Sequence, residues 1–462
     1  MLTAMCFLEE MAQQAALPQS IREQTIILHI NHCVENSYSF NRVLGSLFRK
    51  VIFIGIPYNQ HRPPEDPAFL SYSAAEEEAR RYLLYRGSER AGVYQGDLRG
   101  CVREMIRAAM EEEVIPLLEE DCRLLILEDG GYHYEVVREL TQTYPLLQGR
   151  VLGVVEQTNY GTARGFRIGE TEGYAYPLMS VSRSEIKMNV ESVFIAQRVV
   201  EELSLYLYSL NTFLDFHRVL LVGYGVIGRR VAQILKQRFT EFTVYDTAPW
   251  IRHAALEEGF HVCEEIRPAL FDKDTILIAI TGNASFSEEM LAAFLEGSAE
   301  QLYLISGSSQ EVEFSGLLSM LRKERPFPAG LKLTGHQVCD GADRYTFRHT
   351  GTDGEETVKE ICLIAKGRPV NFYRQEVISL TDCMIDIVFS EILLMAFWLC
   401  EHPDTEKKLY LFGKDGEPFD DKREEEMLRK WLGLYGLSEE AGMRAFQDSH
   451  PMEEQLRGAW KR

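Results

Sequence analysis

The stretch Arg218–Asp246 reads RVLLVGYGVIGRRVAQILKQRFTEFTVYD. Its short apolar run, Val219 to Val222, predicts a buried strand. Gly223, Gly225 and Gly228 follow at GxGxxG spacing, and Val231, Ile234 and Leu235 then recur at a helical period. A second strand, Phe242 to Tyr245, ends at Asp246. Each part has a physical task in a dinucleotide site. Gly223 permits the tight turn, Gly225 lets the backbone approach a pyrophosphate, and Gly228 lets helix and strand pack closely. The helix N-terminus around Val226 and Ile227 offers N–H groups and a positive dipole end to the phosphates. Asp246, eighteen positions past Gly228, stands where a carboxylate binds an adenosine ribose. Its charge repels a 2′-phosphate, so the expected cofactor is NAD rather than NADP. Arg229 and Arg230 pull the other way, since a guanidinium there can meet a phosphate. The competing reading is a Rossmann-shaped domain with an empty cleft.

Working outward, apolar runs at Thr25–Ile30, Val51–Ile56, Leu124–Leu127 and Val151–Val155 alternate with helical patterns at Glu35–Arg49, Ala74–Tyr85 and Asp97–Leu118. Tyr58–Pro67 between them reads as a proline-rich loop. Strands alternating with helices predict a parallel sheet, whose ligand crevice is lined by polar residues just past the strand ends. Two such segments are Glu128-Asp129-Gly130-Gly131 and Glu156-Gln157-Thr158-Asn159-Tyr160-Gly161. Asp129 and Glu156 are therefore site candidates; otherwise they are helix caps or turn residues. Lys187 lies near the middle of Val181–Ser192, and a long helical run then leads into the glycine strand. Beyond it, Thr275–Ile280 ends at Thr281-Gly282-Asn283 and Leu302–Ile305 ends at Ser306-Gly307-Ser308-Ser309. Both turns are expected to flank the cofactor. Pro326–Gly354 reads as a β-hairpin excursion, Lys366–Asn371 closes the domain, and the last sixty residues are charged and helical.

The chain has 462 residues, enough for two or three domains, and 45% hydrophobic with 26% charged residues is ordinary for a globular protein. A net charge of -21 disfavours nucleic acid and anionic membranes as partners. Nine cysteines without a CxxC pair suggest free thiols in a reducing cytoplasm. Histidines lack metal-ligand spacing, so no metal site is expected. The N-terminus lacks the signature of a signal peptide. The apolar run Cys383–Cys400 is about long enough to span a bilayer, but it carries Asp386 and Glu391 and lacks basic flanks, so a buried helix is expected.

Taken in order, these motifs resemble the S-adenosyl-L-homocysteine hydrolase (adenosylhomocysteinase) family, over roughly Ile27 to Leu434. Gly223-Tyr224-Gly225-Val226-Ile227-Gly228 is similar to the family's GYGDVG loop, Glu128–Gly131 to its DDGG turn, and Glu156–Gly161 to its EETTTG. Glu401-His402-Pro403-Asp404 resembles its THPD, and Gly367-Arg368-Pro369-Val370-Asn371 its GRLVNL. The resemblance implies an α/β protein with two doubly wound parallel-sheet domains and a helical C-terminal tail. On it, residues 1–192 begin a substrate-like domain and 193–371 form an inserted Rossmann domain. Residues 372–400 return to the first domain, and 401–462 form a tail that in the family reaches a neighbouring subunit. It also implies a tightly held NAD, a nucleoside ligand and a homo-oligomer, dimer or tetramer. Family members oxidise the 3′-hydroxyl, eliminate homocysteine, add water and reduce the ketone back.

Residue by residue, Lys187 matches the lysine that aids the 3′ oxidation, and Asp129 an aspartate of the acid–base set. Glu35, Glu156, Gln157, Thr158 and Glu191 fall at substrate-binding positions, and Thr281–Asn283, Ser306, Gly307 and Asn371 at cofactor positions. The departures are substantial. Asn31 stands where the family has a catalytic histidine, and His32, offset by one, is expected to point elsewhere unless the turn shifts. Gln157 replaces a glutamate, and an amide cannot act as a base. Glu191-Ser192 replaces an Asp-Asn pair. Ser306-Gly307-Ser308 has lost the histidine near the nicotinamide, Val377-Ile378 the one in the later substrate loop, and the C-terminus its tyrosine-ended tail. General acid–base steps contribute roughly 10²–10⁴-fold each, so ordinary homocysteine hydrolysis is expected to be very slow. Three readings follow. The protein uses bound NAD to oxidise a hydroxyl of a nucleoside-like or other small polyol ligand; or it is a non-catalytic, NAD-loaded sensor or regulatory scaffold; or it is an active adenosylhomocysteinase with His32, His61 or His133 substituting. A 2-hydroxy acid dehydrogenase ranks lower, because no Arg–Glu–His set follows the cofactor domain.

Overall fold

A computed structural model describes residues 5–457 apart from 16, 33, 57–81, 85–97, 309–311, 340, 352–353, 373–379, 415 and 417–418. The expected loop at 58–67, His61 and the segment Val377-Ile378 lie outside these residues. So does most of the expected helix Ala74–Tyr85, whose described part, Tyr82–Leu84, is a strand instead. There it pairs in parallel with Val51–Phe53, and this long-range pairing overrides the local helical period.

The chain folds into two units, one of residues 1–191 and 380–449, the other of residues 192–379 and 450–456. In the first unit, β1 (Thr25–His32), β2 (Lys50–Ile56), β3 (Tyr82–Leu84), β4 (Arg123–Glu128), β5 (Val151–Glu156) and β6 (Leu178–Ser180) join the strand Leu409–Leu411. All pair in parallel, in the order β3-β2-β1-β4-β5-β6 and then Leu409–Leu411. All eight residues of β1 are buried: Ile26, Ile27, Leu28 and Ile30 are apolar, and Thr25, His29, Asn31 and His32 are buried polar residues. Ile26, Leu28 and Ile30 pack with Ile52, Ile54, Leu124, Ile126 and Val154 in one core. The chain leaves β1 toward β2 and later returns to its other side at β4. The carboxyl ends of β1 and β4 therefore flank the topological switch point.

The helix Asp382–Glu401 is long and apolar enough to cross a membrane by length and composition, but most of it is buried inside the first unit. Its two central carboxyls have internal work. Asp386 accepts the N–H groups of Phe7 (2.9 Å) and Leu8 (2.8 Å) and the Tyr435 hydroxyl (2.5 Å). It thereby caps the leader helix Cys6–Gln14, whose own N-cap residue Met5 has no capping side chain. Glu391 is taken up below.

In the second unit, β7 (Arg218–Val222), β8 (Glu241–Tyr245), β9 (Thr275–Ala279), β10 (Gln301–Ser306) and β13 (Glu356–Ile364) lie parallel in the order β13-β10-β9-β7-β8. Between β10 and β13 in sequence, β11 (Leu331–Cys339) and β12 (Ala342–Thr350) form the expected hairpin, which extends the sheet antiparallel from β13. Val244 of β8 makes a single parallel bridge to Val262, a third strand reduced to one pair. With it, the order Val262-β8-β7-β9-β10-β13 is that of a dinucleotide-binding sheet.

Candidate active site

In the second unit the glycine loop follows β7 at the switch point. Gly223 has φ +99°, and a methyl group there would press on the Ile280 carbonyl. A methyl on Gly228 would overlap the Gly223 carbonyl oxygen, so the helix can approach the strand only as glycine. A methyl on Gly225 would meet nothing within 4 Å. The open space beside Gly225 lies at the start of the helix Val226–Leu235, where the first-turn amides of Val226, Ile227 and Gly228 lack intrahelical acceptors. A pyrophosphate fits that cradle. Asp246 lies at the end of β8 and accepts the N–H groups of Tyr224 and Ala248, each at 2.9 Å. Each carboxylate oxygen keeps a second lone pair for a ribose hydroxyl.

The arginines resolve differently from the sequence reading. Arg229 is buried, and its Nε donates to both Glu258 oxygens at 2.8 and 2.9 Å; Arg230 is buried too and reaches Gln233. Arg229 is spent on an internal ion pair and leaves Asp246 to set the charge at the ribose position. Thr281–Gly282–Asn283 and Ser306–Gly307 lie at the carboxyl ends of β9 and β10, on the same edge as the glycine loop. Glu313, which belongs to none of the motifs, organises them. It is fully buried and accepts the N–H groups of Thr281 and Gly282 and the hydroxyls of Thr281 and Ser308. Asn371 is buried past β13. His450 was equally invisible in sequence: its Nε2 lies 3.0 Å from the Tyr224 carbonyl. The stretch expected to form a tail reaching a neighbour thus divides, and its segment 450–456 packs in the glycine-loop unit of its own chain.

In the first unit, Asp129 follows β4 and Gln157 follows β5. Gln157 Nε2 donates to Asp129 Oδ2 at 2.5 Å, while its Oε1 has no partner among the described residues. His32, the last residue of β1, does not point elsewhere: its Nε2 lies 3.5 Å from Asp129 Oδ2. The reason lies beneath it. His29 Nδ1 is 2.6 Å from Asn41 Oδ1, His29 Nε2 is 3.2 Å from Asn31 Nδ2, and Asn31 Oδ1 accepts the His32 N–H at 2.7 Å. Asn31 is absorbed into this buried rail, and the imidazole at the crevice comes from the next residue. Burial holds His29 down to about 4, opposed by its bond to Asn41. Burial also lowers His32; Asp129 pulls it up and the Lys187 charge pushes it down. Both rings are neutral, and His32 feels Asp129 and Lys187 together.

Lys187 lies on a π-helical turn, Ile186–Glu191, and donates to Glu191 at 2.8 and 2.9 Å. Such turns often mark functional sites. Glu156 and Thr158 do different work from that implied by the resemblance. Glu156 is fully buried and accepts the N–H groups of Gly130, Gly131 and Thr158 and the Thr158 hydroxyl. Thr158 caps the helix Asn159–Glu172. These two shape the loops. Burial and then the Asp129 charge push Glu156 up to about 8, against the pull of those donors. Glu35 opens the helix Glu35–Leu47, with its side chain outside the description. His133 sits in a fully buried pair with Glu128, away from any crevice role. Among the described residues no group of His, Cys, Asp and Glu could hold a metal ion.

Fold and site together define a two-unit α/β protein with a dinucleotide-type glycine loop in one unit and a His32–Asp129–Gln157 cluster at the switch point of the other. No family model matches the chain. It is 23% identical over 187 residues to the adenosylhomocysteinase of Acinetobacter baylyi, covering 38% of this chain and 39% of that one. It is 23% identical over 313 residues to the S-inosyl-L-homocysteine hydrolase of Methanopyrus kandleri, covering 67% and 66%. The chain is a divergent relative of the adenosylhomocysteinases, and these matches span about two fifths to two thirds of its relatives' length. Among solved structures, the apo D-lactate dehydrogenase of Escherichia coli is similar at a TM-score of 0.35 and 13% identity, covering 64% of this chain and 79% of that one.

Proposed function

We propose that the chain binds NAD through the glycine loop of its second unit and oxidises a hydroxyl of a small polyol or nucleoside-like ligand held at the crevice of its first. When bound, NAD supplies a hydride acceptor. The chain's own residues supply the rest. The Lys187 ammonium attracts and orients the hydroxyl oxygen. Neutral His32 is able to take up its proton, and Asp129 stabilises the resulting imidazolium, while Gln157 holds Asp129 in place. The observation that carries this reading is the approach of His32 Nε2 to Asp129 Oδ2, 3.5 Å, within the field of Lys187.

The same observation favours a second reading, an adenosylhomocysteinase whose proton-handling histidine has moved by one position. One experiment serves both. The protein is denatured and any released nucleotide identified by mass spectrometry; the native protein is then mixed with adenosine or S-adenosylhomocysteine and followed at the reduced-nicotinamide band. Reduction without homocysteine release supports oxidation alone, and homocysteine release supports the second reading. Released NAD that stays oxidised with every hydroxyl compound tried makes the protein an NAD-loaded sensor. Absence of nucleotide overturns the cofactor assignment.

A further inference from the structure

The π-helical turn that carries Lys187 is tied to the body of its unit by two carboxyls from distant parts of the chain. Glu391, in the middle of the apolar helix Asp382–Glu401, is fully buried, and its Oε2 accepts the Ser184 hydroxyl at 3.0 Å. Ser184 Oγ in turn accepts the Lys187 N–H at 3.1 Å. Glu424, on the helix Asp421–Leu434, is also fully buried, and its Oε2 accepts the Ile186 N–H at 3.0 Å. Each carboxyl thus spends one oxygen on the start of the turn. The other oxygen of each, Glu391 Oε1 and Glu424 Oε1, is buried without a partner among the described residues. A third tie, Asn189 Nδ2 to the Phe446 carbonyl at 2.9 Å, holds the turn's far side.

Two ionised carboxylates buried together, each with an oxygen lacking a donor, are costly. A protonated carboxyl donates where an ionised one accepts, so a single proton held between the pair would give both orphan atoms a partner. We propose that Glu391 and Glu424 work as one positioning unit, sharing a single proton, which clamps the π-turn and fixes where the Lys187 ammonium points. The charged groups around them are Lys187 and Glu191 on the turn, and Glu185 and Asp421 nearby. Burial raises both carboxyls, first by desolvation and then by the neighbouring negative charges, Glu424 to about 8. The clamp stands on its own; only its consequence for turnover rests on the oxidation reading.

The test therefore uses no turnover. Infrared spectra of the whole protein at neutral pH are compared between wild type, Glu391→Gln and Glu424→Gln. Glu156, itself raised to about 8, contributes a constant protonated-acid band; the carbonyl stretch of a protonated carboxylic acid is expected to lose the same further intensity in both variants relative to wild type. Lys187 is then labelled by reductive methylation and quantified by mass spectrometry. Glu391→Leu is expected to speed labelling about tenfold, as fits loss of a buried hydrogen bond to a charged group. Glu391→Gln, whose amide can donate to Glu424, is expected to stay within about twofold of wild type. Should Glu391→Leu not fold, Ser184→Ala cuts the same tie with little change in volume. Acid-band intensity equal in wild type and both variants, or unchanged labelling in folded Glu391→Leu or Ser184→Ala, overturns the proposal. Either result is independent of whether the protein holds NAD.

Discussion

The two units share one strand order and use its switch point in opposite ways. In the first, β3-β2-β1 meets β4-β5-β6; in the second, Val262-β8-β7 meets β9-β10-β13. Both open a crevice where the strand order reverses. The second unit lines that crevice with backbone: Gly225 leaves it open, and helix amides face it. The first brings side chains together past β1, β4 and β5, His32, Asp129 and Gln157, and His32 feels the charge of Lys187 on the π-turn. Backbone suits a ligand recognised by its phosphates, which needs only amides and a dipole. Side chains suit a ligand whose protons are moved, which needs groups of chosen pKa. On the proposed function, one topology serves a holding site in one unit and a reacting site in the other.

The contrast can be broken most sharply at the reacting site. Asp129→Asn and Lys187→Met are each expected to slow reduction of bound NAD by roughly 10²–10⁴-fold, with nucleotide content by mass spectrometry unchanged. Loss of nucleotide in either variant would mean that the division of labour is wrong.

The buried rail beneath His32 gives the next largest effect, read as stability against pH. His29 is held at about 4 against an ordinary value of 6.5. The unfolded chain therefore binds the extra proton first, and stability falls as pH drops from 6.5 toward 4. The gap is worth on the order of 3 kcal/mol at its full extent. In chemical denaturation, His29→Gln is expected to flatten the curve in that window. A slope identical to wild type would show that His29 does not titrate between the two states.

At the holding site, Gly228→Ala and Gly225→Ala should separate fold from function. The first presses a methyl onto the Gly223 carbonyl and is expected to cost about 2 kcal/mol of stability, measured by denaturation. The second meets nothing in the fold and should leave stability unchanged while releasing nucleotide. Equal destabilisation by both would mean that Gly225 borders no ligand space. The smallest effect is expected at Asp246. Asp246→Asn removes a charge but keeps acceptor and size, and should shift preference from NAD toward NADP by about tenfold, ~1.4 kcal/mol. Titration of nucleotide-free protein with both cofactors measures it, and an unchanged ratio would point to another residue at the ribose.

The holding site was legible in the sequence because its parts are local. Gly223 to Asp246 is one continuous strand–turn–helix–strand, and close backbone approaches fix Gly223 and Gly228. Even there, Glu313 and His450 escaped, since each acts on a loop far from itself in the chain. The reacting site was only half legible. Asp129 and Lys187 could be picked out by position and resemblance, but the direction of His32 hung on whether the turn shifted. Its direction depends on Asn31 turning inward to His29 and Asn41, a pairing across a helix and a strand that spacing does not reveal. The charges of Asp386 and Glu391 in an apolar helix were visible as an anomaly, yet their roles were not. By itself the sequence determined the elements, the glycine loop and the acids past the strand ends, because dihedral preference and hydrophobic period act between near neighbours. Only the tertiary structure decided which imidazole meets Asp129, which carboxyls hold the Lys187 turn, and that Glu156 and Arg229 serve the scaffold, because hydrogen bonds over long sequence separations are set by packing.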